Sequence, residues 1–209
     1  MPNRSSIGSV ALAAALLTTI ASAQAFDETK YPDWKGQWVR IGAGGQYDPT
    51  KPPGRRQQPP LTPEYQAVWE ANLGEARAGG QPMEIIVTQI TYMEISFNNE
   101  FRRIYTDGRD WPKDQEPTYS GYSIGKWVDE DGDGRYDMLE VETRGMKGSR
   151  IFDPSGIPLH KDNQTIVKER MFLDKTDPNI LRDEMTAIDH ALTRPWTVTR
   201  GYRRIRNPT

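Results

Sequence analysis

Eight stretches of alternating apolar and polar residues, set apart by short clusters of Gly, Asp, Asn and Pro, predict a mainly β chain. Links of hairpin length between those stretches predict antiparallel pairing, and only one upstream segment has helical spacing. An antiparallel barrel of lipocalin type, with one N-terminal amphipathic helix over one end, is the favoured architecture; a β-sandwich is the alternative. The chain has no Cys, so no disulfide supports it, and its six Trp, nine Tyr and five Phe must supply the buried area.

The first element is not structural. A single charge at Arg4 precedes an apolar run over 7–20, and Ala21-Ser22-Ala23-Gln24-Ala25 follows. That layout predicts a cleavable signal peptide over 1–25, cut after Ala23 or after Ala25, and hence a periplasmic or secreted protein of a Gram-negative bacterium. The run of about 14 residues is shorter than the ~20 of a spanning helix, so no membrane span is expected after cleavage. Residues 26–60 read as an extended Pro/Gly-rich segment, anchored by Tyr31, Trp34, Trp38 and Val39, with the Pro52–Pro60 run lying along the surface.

Residues 61–209 hold the helix and the barrel. Thr62 is placed as N-cap, Pro63 opens the helix, and Tyr65, Val68, Trp69 and Leu73 recur at helical spacing before Gly79-Gly80. Strands are expected over 83–88, 91–97, 101–106, 121–128, 138–144, 164–173, 180–188 and 196–205, with turn residues between them.

The chain has 27 Lys+Arg against 29 Asp+Glu, and only Arg4 lies before residue 26. That balance leaves a slightly acidic mature chain with no electrostatic footprint for nucleic acid. No phosphate loop, dinucleotide fingerprint or Gly-x-Ser-x-Gly elbow is present. The sharpest motif runs from Asp129 to Glu140 and matches a calcium-loop pattern at each fixed position. Asp129, Asp131 and Asp133 would give side-chain oxygens, Arg135 its carbonyl, Asp137 an oxygen directly or through water, and Glu140 both carboxylate oxygens, a set of hard donors suited to Ca²⁺. Strand-like flanks make this a calcium hairpin and not a helical EF-hand; a solvated acidic turn is the other reading.

Alternation places Arg103 and Tyr105 on one strand face, Glu169 on another, and Arg200 and Tyr202 on a third, each among large apolar residues. These five are candidates for a polar-lined ligand pocket inside the barrel, with a structural ion pair as the competing reading. His160 and His190 lie thirty positions apart in turn-like contexts; a metal pair, a catalytic base and two plain surface histidines are all open. No catalytic residue can be assigned.

Gly121-Tyr122-Ser123-Ile124-Gly125-Lys126-Trp127, Leu139-Glu140-Val141-Glu142-Thr143, Glu169-Arg170 and Pro195-Trp196-Thr197-Val198 together resemble a large family of exported bacterial proteins with no assigned common reaction. Tyr31-Pro32-Asp33-Trp34 is similar to that family's opening. The chain departs from it at Ile166, where relatives often carry a histidine, and in the short connection between Gly80 and Pro82. The resemblance implies an exported fold and no activity. Three functions are therefore carried forward: a barrel binding a small, partly apolar molecule; a small barrel enzyme (isomerase, lyase or hydrolase) using Glu169, His160 or Tyr105; and an envelope interaction protein. Oligomeric state is not legible.

Overall fold

The computed structural model describes residues 26–42, 58–72, 83–86, 92–94, 102–150 and 157–205. The expected signal peptide, most of the proline-rich run and the outer parts of the strands expected over 83–106 lie outside those residues. Nine strands are described: β1 (Gly36–Arg40), β2 (Met83–Ile86), β3 (Tyr92–Glu94), β4 (Ile104–Tyr105), β5 (Tyr122–Val128), β6 (Met138–Arg144), β7 (Ile166–Leu173), β8 (Ile180–Ile188) and β9 (Trp196–Arg204). They form one sheet in the order β3-β2-β1-β9-β8-β7-β6-β5-β4. The sheet curls, so that β3 and β4, the two ends of the order, come within 8 Å of each other at the Cα level. The architecture is mainly β and barrel-like, and the described residues include one short helix, α1 (Pro63–Asn72), and one 3-10 turn, Glu28–Lys30.

Strands β5 to β9 are an antiparallel meander built by alternation, broken at Met138-Leu139 and at Arg200-Gly201, where both neighbours are buried. In β8, Leu181, Asp183, Met185 and Ala187 are buried while their neighbours are half-exposed. The outer face is a charged lattice in which Arg170 pairs with Glu130 and Glu184, each at 3.0 Å, and Lys168 with Glu142 at 3.6 Å. One-sided burial fixes the register, because a slip of one residue would turn every inner side chain outward.

Three features depart from expectation. The segment Gly36–Arg40, expected as an anchor in a loop-rich stretch, is a strand that pairs with both β9 and β2 and so joins the end of the chain to its beginning. β4 pairs parallel to β5, not antiparallel. Its close approach needs Gly125, where a Cβ would stand 2.8 Å from Ile104 Cγ2. In α1, Thr62 O accepts the first helical bond from Gln66 N at 2.8 Å, and Tyr65 and Trp69 are buried. Val68, expected on the apolar stripe, is exposed.

The core has two parts. Trp34, Trp38, Trp127, Leu139, Met171 and Leu181 belong to one cluster, and Met146, Val167, Met185, Leu192, Trp196 and Val198 to the other. Leu61, which begins the approach to α1, bridges to Leu192 and packs on the second.

Candidate functional site

Between the two apolar clusters the inner face turns polar along a diagonal. Ser123 on β5 faces Thr143 on β6, and Thr143 faces Val167 on β7. Two residues further along β7 is Glu169, which faces Met185. Two residues from Met185, in the same direction across the sheet, is Asp183, which faces Arg200 on β9. The two-residue steps from β6 to β7 and from β7 to β8 are of the kind that strand tilt imposes in a curled sheet, and they bring these side chains to one level of the interior. They form a charged girdle with an apolar floor and an apolar ceiling.

Arg102 enters the girdle from the segment before β4. Its Nη1 donates to Glu169 Oε1 at 2.9 Å, and Nη2 donates to Glu169 Oε2 and, at 2.7 Å, to Thr143 Oγ1. Its Nε donates to Ser123 Oγ at 3.2 Å, and the two hydroxyl oxygens lie 2.8 Å apart. The pair is nearly shut from water, with side-chain exposures of 13% and 5% for Arg102 and Glu169. Burial works against the Arg102 cation, but the charge of Glu169, its hydrogen bonds and the Asp183 carboxyl outweigh that and raise its pKa.

Asp183 has a different environment. Burial, then the neighbouring Glu169 carboxylate, pushes its carboxyl up to about 7, although Arg200, Arg102 and Arg40 pull the other way. Its Oδ1 is buried with no hydrogen-bond partner among the described residues. A carboxyl of this kind can donate a proton or accept one near neutral pH. It also makes stability depend on pH. The folded carboxyl holds its proton more tightly than the unfolded one (~3.9), so its contribution is fully present below about pH 4 and is lost as pH rises through about 7. Asp183→Asn should remove that slope. The variant's urea midpoint relative to the unaltered protein should rise between pH 4.5 and pH 8, and a constant difference would contradict this environment.

The five pocket candidates divide between two places. Glu169 and Arg200 are buried on the inner face, and Tyr202 is half-buried against the first cluster. Arg103 and Tyr105 face outward, correcting the inner face expected for them. They line an open surface pocket of about 390 Å³ with residues 118–122. There Tyr105 stacks on Tyr122 with ring centroids 5.0 Å apart, and Arg109 covers the Tyr105 ring at 3.8 Å. The physical reason is the register of β4. Ile104 takes the inner position opposite Ser123, so Arg102, two residues earlier, points inward and Arg103 outward. In Phe101-Arg102-Arg103-Ile104 either arginine could be inward, and the buried Ile104 decides it. Arg102 and Asp183 are the charged girdle residues that alternation did not single out, and Ser123 and Thr143 are the hydroxyls beside them.

The Asp-rich segment is the β5–β6 connection. Gly132 and Gly134, with φ of 76° and 88°, make the turn that bends the chain back around Asp129. Asp129 accepts the N–H groups of Gly132 at 2.7 Å and Gly134 at 2.9 Å. Carboxylate oxygens of Asp129, Asp131 and Asp137 lie within 4.8 Å of one another. Asp133 instead caps Arg135 N at 2.8 Å, and Glu140 lies on the outer face of β6 beside Arg170. The structure thus brings together three of the six expected ligand positions.

The two histidines meet. Asp162 Oδ2 lies 2.5 Å from His190 Nδ1 and 2.9 Å from His160 Nδ1. Burial opposes ionisation of Asp162, but hydrogen bonds from His190, Gln164 N–H and His160 hold its carboxyl well below the usual range. The same contact raises the pKa of His190.

No helix among the described residues is long and apolar enough to cross a membrane. Comparison of the chain with protein-family models, with curated proteins and with solved structures finds no match.

Proposed function

We propose that this chain is an exported, lipocalin-like barrel that binds a small, partly apolar molecule at its inner girdle and carries a calcium-binding hairpin. The observation that carries the ligand reading is the buried, unpartnered Asp183 Oδ1, set between two apolar clusters. A buried acceptor without a donor costs roughly 1–3 kcal/mol, which a ligand hydroxyl or amine would recover. Apolar walls with a few fixed polar groups are the usual make-up of a small-molecule site. The leader over 1–25 supports export.

The test is mass spectrometry of small molecules released from protein expressed into the periplasm. One organic molecule in near-stoichiometric amount should accompany the unaltered protein and be absent from a folded Asp183→Leu variant. Equal recovery from both, or from neither, would defeat the reading. A second reading is favoured by the raised Asp183 carboxyl: an isomerase, lyase or hydrolase in which Asp183 moves a proton. In that case the captured molecule should come back chemically altered after incubation with fresh protein.

The hairpin reading rests on the convergence of Asp129, Asp131 and Asp137. Three carboxylates held together repel one another, and a divalent cation removes that repulsion. With a dissociation constant of ~0.1–1 mM, a tenfold excess of calcium should add about 1.4 kcal/mol, or about 3–5 °C in Tm. Magnesium should add less. Asp131→Asn should abolish the effect, while Glu140→Gln should leave it, because Glu140 faces Arg170. Identical thermal melts in calcium, magnesium and chelator would reduce the loop to an acidic turn.

A further inference from the structure

The histidine cluster lies at the end of the barrel away from the Asp-rich hairpin. That hairpin follows Val128 and precedes Met138, whereas His160 and Asp162 precede β7 and His190 follows β8. Ile166 pairs with Ile188, so the segment entering β7 and the segment leaving β8 emerge side by side. Sequence separation hides this neighbourhood, and strand pairing creates it. We propose that His160, Asp162 and His190 form a binding site for one divalent first-row transition metal ion, of which zinc is the representative.

The donor set is mixed. His160 Nδ1 and His190 Nδ1 both approach Asp162 Oδ2, and a ligand atom from each of the three residues lies within 4.8 Å of the others. Two imidazole nitrogens and one carboxylate oxygen suit zinc, cobalt, nickel or copper, whereas calcium and magnesium take oxygen ligands alone. A tetrahedral zinc ion with bonds of ~2.0–2.1 Å holds its ligands about 3.3 Å apart. The present spacings of 2.5 and 2.9 Å to Asp162 Oδ2 are tighter. A small rotation of His190, whose side chain is 69% exposed, opens the first spacing, and a slight turn of the Asp162 carboxylate opens the second.

His160 Nδ1 stands between two competing partners. That nitrogen lies 3.3 Å from the Asp162 backbone N–H, a donor, and 2.9 Å from Asp162 Oδ2, an acceptor. A ring nitrogen can answer one of them and not both. Asp162 Oδ2 faces the second imidazole nitrogen as well. A metal ion among the three atoms takes a lone pair from each, so that Nδ1 and Oδ2 no longer face each other as competing acceptors, and the Asp162 N–H passes to water.

The ligands are supported from behind. The carboxylate of Asp189, itself buried, accepts His160 N–H at 3.2 and 3.3 Å, Ala191 N–H at 2.6 Å and Thr165 Oγ1 at 2.5 Å. One buried side chain therefore ties the backbone that carries His160 to the turn that carries His190. Asp162 Oδ1 is engaged by Gln164 N–H at 3.0 Å, which leaves Oδ2 to the ion. On the barrel side Tyr65 packs its ring on His160 at 5.3 Å and accepts Lys161 N–H at 3.3 Å. Backing of this kind fixes ligand orientation before the metal arrives. Three protein ligands beside an exposed histidine leave a fourth position to water or to an incoming donor.

The experiment is competition for zinc against a chromophoric chelator at pH 7.5, using the mature chain freed of metal by dialysis. The expected result is one zinc per chain with a dissociation constant at or below about 10 μM. His190→Ala and Asp162→Asn should each weaken it at least about tenfold, and Asp131→Asn should not change it. Circular dichroism of each variant shows whether the fold is kept, and His190→Ala, at an exposed position, is the variant expected to keep it best. Cobalt provides a second readout, since its visible spectrum should appear in the unaltered protein and vanish in His190→Ala. Zinc bound more weakly than this, or bound equally by the unaltered chain and His190→Ala, overturns the site.

Discussion

Arg102→Met is expected to lower the free energy of unfolding by about 3–5 kcal/mol. The guanidinium gives two parallel hydrogen bonds to Glu169 and two more to the Ser123 and Thr143 hydroxyls, all inside the girdle. Its removal leaves the Glu169 carboxylate buried at 5% exposure without its cation, beside Asp183. The loss comes from that stranded charge more than from the missing attraction. The companion variant Arg102→Met/Glu169→Leu should recover much of the loss, because no charge is then stranded. Arg103→Met should change stability by less than about 0.5 kcal/mol, as expected for an exposed position. Denaturant melts of the three variants settle the register of β4: equal losses at positions 102 and 103 would mean that the inner arginine is misassigned.

The second large effect is at Trp38. Trp38→Ala should cost about 3–5 kcal/mol, the usual range for a buried Trp. This side chain is fully buried at the centre of β1, the strand that joins β9 to β2. Its Nε1 donates to Trp34 O at 2.9 Å, and the Arg204 guanidinium covers its ring at 4.6 Å. Trp34 in turn packs on Trp127, with ring centroids 5.1 Å apart. Loss of Trp38 opens a cavity in the first cluster and loosens the seam between β1 and β9. Trp38→Phe should retain most of the stability, lacking the hydrogen bond but filling much of the volume. A loss below about 1 kcal/mol for Trp38→Ala would show that β1 is not part of the core.

The meander from β5 to β9 was legible in the residues because its information is local. Alternation of period two and turn residues at the joints are read within ten positions, and β6 and β8 have the expected bounds. β1 was not legible as a strand. Gly36-Gln37-Trp38-Val39-Arg40 is short, and both of its partners lie far away in the sequence, so only tertiary pairing makes it one. β4 is shorter still at two residues, and two adjacent arginines give no local cue to which one turns inward. Asp183 stands between Arg182 and Glu184, where a run of charges reads as solvated. Only the burial of Leu181, Met185 and Ala187 on the same face places it inside. In the Asp-rich hairpin the turn chemistry was readable, but the aim of each carboxylate was not. Asp133 turned to its own backbone and Glu140 to the outer lattice. The histidines were visible as residues and invisible as neighbours, because their meeting depends on the β7–β8 register.

Arg102, Glu169, Asp183 and Arg200 make a charged girdle inside the curled sheet, where burial pushes the Asp183 carboxyl up to about 7. The most direct measurement is a ¹³C NMR titration of the aspartate carboxyl carbons in the mature protein, with the Asp183 signal assigned by its loss in Asp183→Asn. The expected midpoint is about 7, from burial and the adjacent Glu169. Removing the Arg102 cation should move it higher still, since Arg102 favours the ionised form. A midpoint near the ~3.9 of a solvated aspartate would place Asp183 in water and contradict the girdle.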